Sequence, residues 1–247
     1  MDKFNVAHKN LIGLASMWLN MEHTSDASVA KYQSILSNTY PKHVVIDNFL
    51  NESKLSKVLK VLEQPQQWKT QRHAYSALYV DHTQWSETID EQKFVKRDAW
   101  IRNKTLTSYD QSQIAHNLLA YLREQEFMLF LSRIFKVSLT DKNVKSPKTN
   151  TNYYRLNHSD FVQQHADDSP GREVCMLLYL NKNWNIEKGG ELTFAGRENN
   201  PINIAPIFNR CVLFDPSSLG SEHWVNPVST MNELKYRYNI TSWYWSE

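Results

Sequence analysis

FVQQHADDSPGREVCMLLYL, residues 161–180, decides the fold. Phe161–His165 reads as a strand, Ser169-Pro170-Gly171 as a turn, and Val174–Leu180 as a second, strongly apolar strand. Working outward, the same rhythm holds from Asn150 to the end of the chain. Strand-like segments recur at Thr151–Leu156, Glu191–Ala195, Asn203–Ala205, Arg210–Asp215, His223–Val225 and Tyr236–Trp245. Turn signals separate them at Gly189-Gly190, Asn199-Asn200-Pro201 and Pro216-Ser217-Ser218. Many short strands with regular turns predict a sandwich or closed barrel, and eight strands fit a jelly-roll. No internal repeat or low-complexity tract interrupts the pattern.

The same stretch carries candidate chemistry. His165 and Asp167 stand two apart, and in a strand that spacing puts both side chains on one face, with Asp168 pointing the other way. His223 stands 56 residues beyond Asp167, so only a folded sheet could bring it back. Two imidazoles and one carboxylate suit a divalent iron that keeps coordination positions open. The motif alone is weak evidence, because His158-Ser159-Asp160 repeats it seven residues upstream. Near the end of the chain Arg237 is a fixed cation between Tyr236 and Tyr238, with Lys235 as its rival.

Upstream the pattern is mixed. Residues 8–22 fit a short helix with Leu11, Leu14, Trp18 and Ile12 on its buried side, followed by polar residues 23–30. Residues 1–42 are taken as a helical extension and 43–247 as the main domain. His43–Leu50 reads as a strand running into a turn, and Asn51 as the cap of a helix with Leu55, Val58, Leu59 and Leu62 on one face. Pro65 ends that helix. Residues 66–100 suit a flap, a substrate-facing hairpin or an irregular loop, with short strands near Ala77–Val80 and Val95–Ile101. Asp110 is placed as the cap of a helix carrying Ile114, Leu118, Leu119 and Leu122, and Glu126–Phe135 follows as another. Lys142–Thr149 is a polar linker. The whole is expected to be mainly β with flanking N-terminal helices that buttress one sheet face.

Composition narrows the function. Hydrophobic residues make up 41% and charged residues 22%, ordinary for a globular chain, and aromatics reach 12%. A net charge of +2 with no long basic run argues against a nucleic-acid binder. Cys175 and Cys211 sit inside apolar runs and read as buried free thiols without zinc-site spacing. Lys9, Asn10 and Asn20 break the apolar residues near the N-terminus, and no apolar run approaches a membrane span. A cytoplasmic location is expected.

The order of the pieces carries a resemblance. Residues 172–184 (REVCMLLYLNKNW), Gly189-Gly190 through Phe194, Ile204-Ala205-Pro206, residues 209–214 (NRCVLF), His223-Trp224-Val225 with Pro227-Val228, and residues 237–243 (RYNITSW) together resemble the iron- and 2-oxoglutarate-dependent prolyl hydroxylases. The likeness is to the oxygen-sensing enzymes and their bacterial and fungal relatives. Residues 43–150 match them in outline and the first 42 do not.

The resemblance implies a double-stranded β-helix (jelly-roll, cupin-like) oxygenase domain over 43–247. Its metal ligands would be His165, Asp167 and His223, because a short loop, an arginine and a Tyr-Leu-Asn strand follow Asp167 and not Asp160. Arg237 would bind the distal carboxylate of 2-oxoglutarate, a task suited to a planar two-pronged donor. Tyr179, Thr241 and Tyr154 (or Tyr153) would contact the same cosubstrate, and Arg172 and Trp243 would line the substrate entrance. The cofactors implied are Fe(II), 2-oxoglutarate and O2, with ascorbate in support. The activity implied couples decarboxylation of 2-oxoglutarate to C–H hydroxylation, and the carboxylate at 167 favours this over halogenation, where related enzymes carry a small residue. A prolyl residue in a peptide or protein is the favoured substrate, a free amino acid or small metabolite the alternative. A non-catalytic jelly-roll binding module is the rival class. A monomer or weak homodimer is expected.

Overall fold

The computed structural model describes residues 18–102, 111–198, 200–229 and 236–246. In chain order the elements are α1 (Asp26–Asn38), β1 (His43–Ile46), α2 (Glu52–Leu62), β2 (Trp68–Ala74), α3 (His82–Glu87), β3 (Lys93–Trp100), α4 (Gln113–Tyr121), α5 (Gln125–Phe135), β4 (Leu139–Thr140), β5 (Thr151–Leu156) and β6 (Phe161–His165). Then come β7 (Arg172–Tyr179), β8 (Leu192–Arg197), β9 (Asn200–Ile204), β10 (Cys211–Phe214), β11 (His223–Val225) and β12 (Arg237–Ser246).

The last eight strands fall into two interleaved sets. One runs β10-β7-β12-β5 and the other β6-β11-β8-β9, and all of these pairings are antiparallel. Except at the β8–β9 hairpin, every step from β5 to β12 carries the chain from one set to the other, which is the path of a double-stranded β-helix. β3 pairs with both β5 and β6 and closes the sheet across one side, while β2 pairs with β3 to form a hairpin.

Strand periodicity decides what each face does. From β7, Cys175, Leu177 and Tyr179 turn between the two sets, where they pack with Phe194 and Phe214. Val174, Met176, Leu178 and the following Leu180 turn the other way into a core shared with the helices. A strand apolar on both faces is what this double burial demands. β12 divides likewise: Tyr238, Ile240 and Tyr244 join the helix-side core, leaving Arg237, Asn239, Thr241 and Trp243 for the inner face. On β5, the Tyr153 hydroxyl donates to the Ala115 carbonyl in α4 at 2.8 Å, fixing that side chain on the helix side.

The helices add apolar stripes to that core. α2 buries Leu55, Val58, Leu59 and Leu62, and Asn51 caps it by accepting from the Lys54 N–H at 3.0 Å. α5 contributes Phe127, Phe130, Leu131 and Ile134. β1 pairs with β10, and Asn209 ties down the segment after it: its amide accepts from Leu50 N–H at 2.8 Å and donates to Leu50 C=O at 2.6 Å. Both cysteines are buried and free. No helix among the described residues is long and apolar enough to cross a membrane.

Several expectations change. The helix placed at 8–22 lies largely outside the described residues; Trp18 is helical and buried as expected, and Met21–His23 beyond it is a short 3-10 turn. The helix nearby is α1, which begins within the polar run 23–30 of the helical extension, where the sequence marks no element of its own. Ser25 caps it, and Val29, Tyr32 and Leu36 are its buried stripe, in the same core as the strands. Three apolar contacts spread over 13 residues give too weak a pattern to notice. The strand expected at Ala77–Val80 is absent. Residues 75–80 form the turn after β2, with the Ala74 N–H bonded to the Ala77 carbonyl. β2 itself, WKTQRHA, is half exposed and polar, so hydrophobic alternation cannot mark it. β9 begins at Asn200, inside the expected turn. An edge strand tolerates Pro201 because no neighbour needs its missing N–H. Asp110, the expected helix cap, lies outside the described residues.

Candidate active site

A cavity of about 450 Å³ opens at one end of the barrel. Its lining includes His165, Asp167, His223, Arg237, Arg97 and Arg172.

Two histidines come from adjacent strands. Antiparallel pairing of β6 with β11 sets His165 directly opposite His223, with ring centroids 4.4 Å apart. His165 Nδ1 lies 2.8 Å from the Gln163 carbonyl, and His223 Nδ1 lies 2.9 Å from the Ser221 carbonyl. A carbonyl only accepts, so each Nδ1 carries the proton and donates. Each Nε2 is then left with its lone pair, the usual way a metal-binding imidazole is oriented. Burial, with repulsion from His165, pulls the His223 pKa down to about 4, so this ring is neutral at pH 7.

Asp167 completes the group. One ligand-type atom from each of His165, Asp167 and His223 lies within 4.8 Å of the others. The reason differs from the one read in the sequence. β6 ends at His165, so Asp167 is on a loop, not on a shared strand face. Its carboxylate is fixed from outside: Trp243 Nε1 donates to Oδ2 at 2.8 Å, Arg172 donates to Oδ1 at 3.3 Å and also to the Asp167 carbonyl, and Cys175 Sγ lies 3.7 Å from Oδ2. Burial opposes the carboxylate charge, but His223, His165, the Trp243 N–H and Arg172 more than offset it and hold the carboxyl below its usual range. Asp168 is exposed. The upstream His-x-Asp pair does not join: His158 is exposed, and Asp160 accepts from Asn157 N–H at 3.0 Å and pairs with Lys96 at 3.3 Å.

Arg237 is buried at 3% exposure, without a carboxylate partner among the described residues. Its Nε donates to the Gly190 carbonyl at 2.7 Å and its Nη1 to Asn239 Oδ1 at 2.7 Å, which leaves Nη2 buried and unbonded. Gly190 is needed here. Its φ is +79°, and a Cβ would sit 3.1 Å from Arg237 Cδ. Thr241 lines the cavity and accepts from Asn239 Nδ2 at 2.9 Å. The guanidinium lies 5.0 Å from the ring centroid of Tyr179, whose buried hydroxyl makes no close hydrogen bond among the described residues and interacts with Arg237. A buried guanidinium with a free N–H edge and no counter-charge is costly unless an anion docks on it.

The remaining sequence candidates separate. Arg172 and Trp243 do line the cavity, where the Trp243 N–H and Arg172 Nη1 bond Asp167 and the Arg172 Nε is buried without a partner. Tyr154 faces inward beneath Arg97, whose guanidinium is 3.6 Å from its ring centroid, whereas Tyr153 is tied to α4. Lys235 lies outside the described residues. Sequence reading missed Asn239, although it lies inside the RYNITSW run, and missed Arg97, His73 and Phe94 from the β2–β3 hairpin. A polar hairpin without hydrophobic alternation gave no sign of which side chains turn inward.

The three ligand-type residues fit a divalent transition metal, and the Arg237 edge fits a carboxylate in the same cavity. Residues 148–245 match the family model of the 2OG-Fe(II) oxygenase superfamily. Over 133 residues the chain is 26% identical to the mouse (Mus musculus) prolyl 3-hydroxylase OGFOD1, covering 51% of this chain and 23% of that protein. The chain therefore spans about a quarter of that relative's length. In structure it is similar to a Trichoplax adhaerens prolyl hydroxylase in complex with a hypoxia inducible factor peptide fragment. The TM-score is 0.59 at 20% identity, over 90% of this chain and 94% of that one. A Pseudomonas putida prolyl-4-hydroxylase is also similar, with a TM-score of 0.58 at 16% identity over 89% of this chain and 99% of that one.

Proposed function

We propose that the chain, whose residues 148–245 match the family model of the 2OG-Fe(II) oxygenase superfamily, is a dioxygenase that hydroxylates a prolyl residue of a peptide or protein. Fe(II) and 2-oxoglutarate, when bound, supply with O2 the oxidising power to hydroxylate an unactivated C–H bond, as 2-oxoglutarate goes to succinate and carbon dioxide. The observation that carries the reading is that the His165, Asp167 and His223 cluster shares one cavity with the uncompensated Arg237 guanidinium.

Each residue then has a task. His165 and His223 present bare Nε2 atoms and Asp167 a carboxylate, a facial set of three that leaves positions free for other molecules. Trp243 and Arg172 hold Asp167 in place. Arg237, pinned by Gly190 and Asn239, turns its free edge to the distal carboxylate of the diacid, with Thr241 beside it and the Tyr179 ring behind. Tyr75, Leu78 and Tyr79 line the cavity and are exposed, a rim that suits a peptide chain entering from solvent. Residues 43–247 are assigned as the oxygenase domain and 1–42 as an extension, of which α1 packs into the helix-side core.

The test is succinate formation from 2-oxoglutarate with iron and ascorbate. His165→Ala, Asp167→Ala and His223→Ala should each abolish it. Parental turnover in these variants would reject the reading.

A further inference from the structure

Arg97 has no role in the site so far. It is on β3, whose Val95 and Arg97 line the cavity while Lys96 and Asp98 face away. The outward neighbours are both paired: Lys96 with Asp160 at 3.3 Å, and Asp98 with Arg155 at 3.0 Å. Arg97 is not. Among the described residues no carboxylate lies within 4.0 Å of it, and its Nε is buried without a hydrogen bond. Among the described residues its guanidinium lies over the Tyr154 ring, 3.6 Å from the ring centroid, which fixes the plane of the group while Nε stays without a protein acceptor.

Charge balance gives this weight. Arg97, Arg172 and Arg237 line the cavity against the single carboxylate of Asp167. On the reading above, a divalent ion and a dianionic cosubstrate enter and cancel one another. Arg172 is paired with Asp167, so the positive excess falls on Arg237 and Arg97. Arg237 has a carboxylate of the diacid set against it on that reading, whereas Arg97 has no acidic side chain beside it among the described residues and lines a confined space where an unmet charge is costly.

We propose that Arg97 anchors a carboxylate carried by the substrate that is hydroxylated. The inference rests on the oxygenase reading and narrows its substrate to an acid. The carboxylate is either the α-carboxylate of a free or C-terminal residue or an acidic side chain next to the residue attacked. A guanidinium accepts either through paired hydrogen bonds, and a site built for such a pair rejects the neutral analogue.

The test uses the iron-loaded protein with 2-oxoglutarate under nitrogen, where ligands bind without turnover, and reads affinity by calorimetry. One pair of probes is N-acetylproline against N-acetylprolinamide. The other is acetyl-Pro-Asp-amide against acetyl-Pro-Asn-amide. The acid should bind about tenfold or more tighter than its neutral partner in at least one pair, the scale of a hydrogen bond to a charged group, and the pair that discriminates identifies the source of the carboxylate. Arg97→Gln should erase that preference, and Arg97→Lys should retain part of it. Equal binding of acid and neutral partners in both pairs would overturn the proposal. So would a loss of 2-oxoglutarate affinity in Arg97→Gln as large as the loss for the acid probe, which would assign Arg97 to the cosubstrate. Succinate formation by the parent protein is measured separately. An acid preference in a protein that forms no succinate would reject the oxygenase reading while leaving Arg97 as a carboxylate site.

Discussion

Trp243 Nε1 donates a 2.8 Å hydrogen bond to Asp167 Oδ2 across 76 residues of sequence. The carboxylate sits on a loop that β6 does not support, and the last strand of the chain holds it in place. The same strand carries Arg237. One element therefore positions both the proposed ion ligand and the proposed diacid anchor, and errors in its register would spoil both.

Trp243→Phe should keep the ring and lose that bond. Partners that orient a metal ligand typically contribute about 10- to 100-fold in metal affinity, so Fe(II) or Mn(II) titration should show a loss of about that size with the fold intact. An affinity equal to the parent's would mean that Arg172 alone holds Asp167.

Arg237→Ala should weaken 2-oxoglutarate binding by about 30-fold or more, the scale for truncating one partner of a buried charged pair, while metal affinity stays at the parental level. Gly190→Ala should reach the same group indirectly. A side chain at φ +79° costs about 1–2 kcal/mol, and the added Cβ presses on Arg237 Cδ. Thermal melts and 2-oxoglutarate titrations read the two effects separately. Parental stability and affinity in Gly190→Ala would show that the packing there is loose.

Metal should stabilise the fold by mass action. At a Mn(II) concentration of 100 times its Kd the gain is about 2.7 kcal/mol, which for a chain of this size raises Tm by about 5–10 °C. A chelator should reverse the shift, and His165→Ala and His223→Ala should abolish it. A shift that survives in both variants would locate the ion elsewhere.

Asn209→Ala should destabilise the fold without touching the cavity. Asn209 is buried at 2% exposure and bonds both backbone groups of Leu50, whose carbonyl also accepts from Asn20 Nδ2 at 3.1 Å. Leaving the buried Leu50 N–H unpaired costs about 1–3 kcal/mol. Denaturant melts measure this, and a change within about 0.5 kcal/mol would mean that water replaces the amide.

Much of the molecule was legible because it obeys local rules. The strands from Thr151 onward announce themselves by apolar runs between glycine and proline turns, and α2 by Asn51 and the spacing of Leu55, Val58, Leu59 and Leu62. The fold is the double-stranded β-helix expected. α1 escaped because three buried residues in a polar helix make a faint stripe, and β2 because a half-exposed hairpin has no hydrophobic period.

The amino-acid sequence by itself determined which residue types the site can use: the two histidines, the aspartate between them in chemical role, and Arg237 within its aromatic run. It could do so because strand periodicity and motif order act over short distances along the chain. Only the tertiary structure decided that Asp167 is held by Trp243 and Arg172, that Arg237 is pinned by Gly190 and Asn239, and that Arg97 faces the same cavity without a partner. Those facts depend on which strands lie side by side. Strand order in this curled sheet follows from burying both faces of β7 and β12 at once, a condition that the whole chain meets together and no single segment encodes.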